Sequence, residues 1–106
     1  SEQKEVTETI FSYQFLDDGA KVKVYIPLEG VGAAITDEDI TVDIKAWSLD
    51  ICVRGYKPGR CLRLAVRQLC GEVQPDKSSF RKLASKIVIT MAKAIEGRTW
   101  DTLAAK

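Results

Sequence analysis

The chain has 106 residues, 45% hydrophobic and 29% charged, the proportions of one soluble globular domain that can bury a core without staples. Sixteen basic and fifteen acidic residues leave a net charge of +1, so no global field draws it to nucleic acid or to an anionic membrane surface. No apolar stretch approaches the roughly 20 residues that span a bilayer, and histidine is absent, which removes the usual proton shuttle, triad base and transition-metal ligand.

Ser1 opens the chain without an initiator Met and polar residues follow, which reads as a domain cut from a longer protein, with residues 1–9 as a polar N-terminal extension and 104–106 as a tail. Ile10 to Phe15 is aromatic-rich and predicts a first strand, with Asp17-Asp18-Gly19 as a hairpin turn. Ala20 to Leu28 alternates: Val22, Val24, Ile26 and Leu28 face the core, and Lys21, Lys23 and Tyr25 face solvent. Pro27 cannot donate to a ladder, so the strand lies at an edge there or is ending.

Gly30 to Ala34 is a flexible connection. It is no phosphate loop, because it lacks a third glycine, a Lys-Ser/Thr pair and a helix behind it. Asp37-Glu38-Asp39 lacks the spacing and closing Glu of a calcium loop and reads as a capped, solvated turn after Thr36. Ile40, Val42 and Ile44, then Leu49, Ile51 and Val53, then Leu62, Leu64 and Val66 mark the inner faces of three antiparallel strands.

At Gln68-Leu69-Cys70 the alternation slips by one, which predicts a bulge or a strand crossing between sheets. Val73 to Leu83 is weakly patterned and carries turn signals at Pro75-Asp76 and Ser78-Ser79. Lys86 to Lys93 is the most continuous apolar run and predicts a central strand covered on both faces, with functional weight at Lys86 and Lys93. Thr99 is placed to cap a short helical turn that aims Trp100 and Leu103 into one end of the fold. With about seven short strands and no helix of ten residues, the fold class is an all-β antiparallel sandwich.

Three cysteines without CxxC spacing make neither a disulfide framework nor a four-thiolate zinc site, and point to a reducing compartment, cytosol or nucleus. Unpaired thiols are therefore expected. Alternation nevertheless puts Cys52 and Cys61 on one outward face as direct or diagonal neighbours, so mild oxidation would link them and leave Cys70 free.

The order of pieces carries a resemblance: Tyr13-x-Phe15, Val22-x-Val24-x-Ile26-x-Leu28-Glu29-Gly30, Ile40 to Ile44, Leu49 to Val53, Leu62 to Leu64, Gly71 to Ser79, Lys86 to Lys93 and Trp100. From about residue 10 to 103 the chain resembles a CS domain, the module of small co-chaperones and ubiquitin-ligase adaptors. The close Gly97 to Leu103, together with Leu28-Glu29-Gly30-Val31, is most similar to the calcyclin-binding (Siah-interacting) branch, with the nuclear-distribution branch a weaker match. The resemblance implies a seven-stranded antiparallel sandwich of the small-chaperone type, without catalysis or cofactor, that docks heat-shock protein 90 or ubiquitin-ligase components and is monomeric as an isolated domain.

In relatives that bind heat-shock protein 90, the contact face resembles two aromatics and a Lys-x-Glu. Those places here hold Leu16, Pro27 and Lys86-Ile87-Val88, which implies weakened binding by that face. Lys21, Lys23, Tyr25 and Lys86 complete the expected partner surface, with Tyr25 as anchor. An enzyme would have to rest on a cysteine nucleophile without histidine or on Asp17 and Asp18, which read as turn formers.

Overall fold

The alternating segments become two four-stranded sheets packed face to face. The structure is a computed structural model that describes residues 6–105. Its strands are β1 (Val6–Thr9), β2 (Gln14–Asp18), β3 (Lys21–Pro27), β4 (Ile40–Lys45), β5 (Ser48–Arg54), β6 (Arg60–Val66), β7 (Val73–Lys82) and β8 (Lys86–Lys93). One sheet runs β1-β6-β5-β4 and the other β2-β3-β8-β7. A single-turn helix α1 (Val31–Ala34) and a 3-10 turn at Asp37–Asp39 link them, the latter closed by the Thr36 N–H donating to Asp39 Oδ2 at 3.0 Å.

The core is what alternation specifies. Val22, Val24 and Ile26 from β3, Ile87, Ile89 and Met91 from β8, and Leu49, Ile51 and Val53 from β5 are all buried. Burying each such side chain stabilises the fold by about 1.5–3 kcal/mol, as an upper figure against an extended unfolded chain.

Four segments differ from the sequence reading. Val6–Thr9, placed in the extension, is a strand that pairs in parallel with β6, Thr7 opposite Cys61, so among the described residues the sandwich has eight strands and one parallel pair. The first expected strand starts four residues late: Ile10 still donates to Arg63 O at 2.8 Å, and 10–13 cross between the sheets before β2. Val73–Lys82, read as turns, is a ten-residue strand. Its register slips between Gln74 and Ser79, and the Ser78 hydroxyl fills the gap, donating to Gln74 O at 2.7 Å and accepting from Ala92 N at 3.2 Å. A side-chain bridge replaces the missing ladder bond, which is why turn-type residues sit inside a strand.

The fourth difference is β8. It is central, between β3 and β7, but among the described residues no second layer covers its outer face, where Lys86, Val88 and Thr90 are only half-buried. The slip at Gln68-Leu69-Cys70 is a crossing, as expected: β6 ends in one sheet and β7 begins in the other, with Leu69 buried and bridged to Ala104.

Trp100 and Leu103 close one end and are buried, though no helical turn forms there. The indole stacks on Phe15, centroids 6.4 Å apart and planes inclined by 21°. Beside it Lys93, 2% exposed, donates to Asp17 Oδ1 at 2.7 Å and to Arg98 O at 2.6 Å, and the Trp100 N–H donates to Asp17 Oδ2 at 2.7 Å. The Lys93 bond above all, then the Trp100 N–H, holds the Asp17 carboxyl below its ordinary value of 3.8. Asp17 forms the turn as expected, accepting the Gly19 N–H at 3.1 Å, and is also the acceptor that fixes the end of the sandwich, while Lys93, a candidate for function, is a structural cation.

Candidate functional site: the open face of the β2-β3-β8-β7 sheet

Every residue expected to contact a partner lies on one surface, because period-2 geometry puts odd-numbered β3 positions and even-numbered β8 positions on the same side. The register sets out the rows. Leu16 is opposite Lys23, and Lys23 opposite Thr90; Tyr25 lies between Gln14 and Val88, with Arg81 beyond; Pro27 faces Lys86; Lys21 faces Asp18 and Ala92.

Lys86 reaches diagonally over the Tyr25 ring, its Nζ 5.1 Å from the centroid. A cation at that distance from an aromatic face gains about 0.5–1 kcal/mol at an exposed site. Leu16 is 47% exposed; with half-buried Tyr25 and Val88 it forms an apolar strip. Around it stand Lys21, Lys23, Arg81 and Lys86, opposed by Asp18, whose Oδ2 lies 3.9 Å from Lys23 Nζ. The face is therefore amphipathic and predominantly cationic. Pro27 ends β3 beside Lys86, and its N–H-free ring is exposed.

Arg81, Gln14 and Thr90 also belong to this surface, and sequence reasoning missed them. Arg81 was hidden because β7 has no clean alternation. Phe80, packed half-buried against the core, was the available signal, since an inward Phe80 makes Arg81 face outward.

The two adjacent turn carboxylates do not converge. Asp17 and Asp18 point to opposite sides of β2, one toward Lys93 and one toward Lys23. Among the described residues no His/Cys/Asp/Glu cluster could hold a metal ion, and no helix is long and apolar enough to cross a membrane.

The other open face, on β4-β5-β6-β1, carries the cysteines. Cys52 and Cys61 are diagonal neighbours, Cys52 facing Arg63 and Cys61 facing Arg54. They are joined by a disulfide with Cα atoms 6.3 Å apart, whereas Cys70 is free. The expectation of unpaired thiols is corrected by this geometry, which lies inside the 4.4–6.8 Å range of disulfides.

The sequence model of the CS domain matches residues 11–93. The chain belongs to the CS-domain family. CS domains are in general non-catalytic modules of the chaperone-cofactor kind that mediate protein–protein contacts. This CS domain is 26% identical over 101 residues to glucose-insensitive transcription protein 7 of Schizosaccharomyces pombe, a similarity that covers 95% of the chain and 26% of that protein. It thus spans about a quarter of the length of the curated relative it matches.

Solved structures agree on the fold. The CS domain of the human KIAA1068 protein superposes with a TM-score of 0.69 at 12% identity, covering 89% of this chain and 73% of that one. The nuclear movement protein of E. cuniculi gives 0.66 at 13%, covering 88% and 98%. Heat shock protein 16.0 of S. pombe gives 0.64 at 16%, covering 90% and 96%. The last likeness places the sandwich with the small heat-shock fold.

Proposed function

We propose that this CS domain docks a chaperone of the heat-shock protein 90 type through the open β2-β3-β8-β7 face, and does so weakly. The observation that carries the reading is the Lys86–Tyr25 pair, set beside Leu16 and Val88 within a cationic rim: an aromatic anchor flanked by donors for acidic groups. Leu16, Pro27 and Val88 stand where chaperone-binding relatives resemble two aromatics and a glutamate, so the anchor set is incomplete. A role as adaptor for a ubiquitin ligase, in cytosol or nucleus, belongs to the same reading and uses the same kind of surface.

Titration calorimetry of the domain against heat-shock protein 90, with and without a non-hydrolysable nucleotide, tests it. Weak binding, lost in Lys86→Ala and strengthened in a Leu16→Tyr/Val88→Glu double variant, is expected. Tight binding by the unmodified domain that is insensitive to Lys86→Ala would sink the assignment.

A further inference from the structure

On the sheet opposite the partner face, Thr7, Thr41, Cys52, Arg54, Cys61 and Arg63 line one shallow groove. Each cysteine sits directly across the ladder from an arginine of the neighbouring strand, Cys52 from Arg63 and Cys61 from Arg54, and directly opposed side chains have Cβ atoms about 4.5–5.5 Å apart. Arg63 is held in place by Asp50, its Nε donating to Oδ1 at 3.1 Å. Guanidinium groups beside a thiol favour the thiolate, the form that attacks disulfides; Asp43 and Asp50 line the same groove and Asp50 pairs with Arg63, so the carboxylates offset part of that bias. The two sulfurs also differ in access: Cys61 is 2% exposed, whereas Cys52 is only half-buried.

We propose that Cys52 and Cys61 form a reversible thiol–disulfide exchange site for low-molecular-weight disulfides of the glutathione class, and that its closure rigidifies the sheet on which β1 docks. The Cys52 thiolate attacks one sulfur of the oxidant and releases one glutathione. The Cys61 thiolate then attacks the resulting mixed disulfide at the Cys52 sulfur and expels the second glutathione. Two protein thiols are oxidised to one disulfide, the oxidant is reduced to two thiols, and the two protons leave on them. Reduced glutathione runs the same steps backward, entering at Cys52.

The consequence for the fold follows from register. The bond ties β5 to β6 next to Thr7, which faces Cys61 across the parallel β1–β6 pair. β1 is a four-residue edge strand with Val6 54% exposed, so its docking depends on how firmly β6 is held. Closing a loop with a sequence separation of 9 constrains the unfolded chain, and oxidation should raise Tm by about 10 °C.

The test equilibrates the whole chain in glutathione buffers of graded redox ratio, traps free thiols with an alkylating agent, and maps the products by mass. The expected result is a single Cys52–Cys61 link that opens in reduced glutathione under native conditions, with Cys70 alkylated throughout. Amide exchange of Val6–Thr9 should speed up on reduction, and Cys52→Ala should fold yet show no redox dependence of Tm. Arg54→Gln with Arg63→Gln should slow closure several-fold. A bridge containing Cys70, a bond that reduced glutathione cannot open in the folded protein, or equal β1 exchange in both states would each overturn the proposal.

Discussion

Replacing Trp100 with alanine tests the account of how the sandwich is closed. The indole is 4% exposed, stacks on Phe15 and lies so near Gly71 that a Cβ there would sit 2.8 Å from Nε1. A buried tryptophan withdraws about 200 Å² from water, worth about 5 kcal/mol at 25 cal/mol per Å². The cavity left behind adds to the loss, and relaxation of the chain end subtracts from it, so Trp100→Ala should cost about 3–5 kcal/mol. The Trp100 backbone N–H to Asp17 survives the substitution, so the loss reports on the ring alone. At about 4–8 °C per kcal/mol for a domain near this size, Tm should fall by at least 12 °C. Scanning calorimetry reads the loss directly, and a double-mutant cycle with Phe15→Ala should return a coupling of about 0.5–1.5 kcal/mol for the stack. A Trp100→Ala protein that unfolds within a degree or two of wild type would refute the plug.

Other outcomes follow from the same geometry. Because the Asp17 pKa is depressed in the folded state, its contribution is fully present above the unfolded value near 3.8 and disappears as pH falls through the lower folded value. Asp17→Asn should therefore lower urea midpoints at pH 7 and flatten their fall below about pH 4; parallel acid limbs would contradict this. Gly71→Ala should destabilise by about 1–3 kcal/mol, since its Cβ meets the indole edge, and should be partly relieved in the Trp100→Phe background, which removes that edge. Gly32→Ala should cost a similar amount, because its Cβ would lie 2.8 Å from the Leu83 carbonyl oxygen and Ala84 Cα, neither of which can swing away; denaturation midpoints compare the two. Val88→Glu alone should not unfold the domain, since its carboxylate would stand across from Arg81 on an open face, and its circular dichroism melt should stay near wild type.

The fold was largely legible because alternation is local. Val22, Val24 and Ile26, or Leu49, Ile51 and Val53, declare their face by spacing alone, and so does the side of the sheet that carries Lys21, Lys23 and Tyr25. The shared face of Cys52 and Cys61 was readable for the same reason. That the two are diagonal rather than directly opposite was not, because the register between β5 and β6 is set by the turn from Gly55 to Gly59. That turn needs positive φ at both glycines, +81° and +70°.

What only the tertiary structure decided involves partners distant in sequence. β1 carries no signal of its own; its short polar segment is a strand because β6 offers it an unpaired edge. β7 looks like turns because Pro75 to Ser78 bulge out of the ladder, and only β8 beside them turns that segment into a strand that presents Arg81. Asp17 and Lys93 are 76 residues apart, so nothing in either neighbourhood announces the pair that supports Trp100. Local pattern fixes which way a side chain points; which charge meets it, and which edge is left to pair, depends on contacts that exist only once the two sheets have closed on each other.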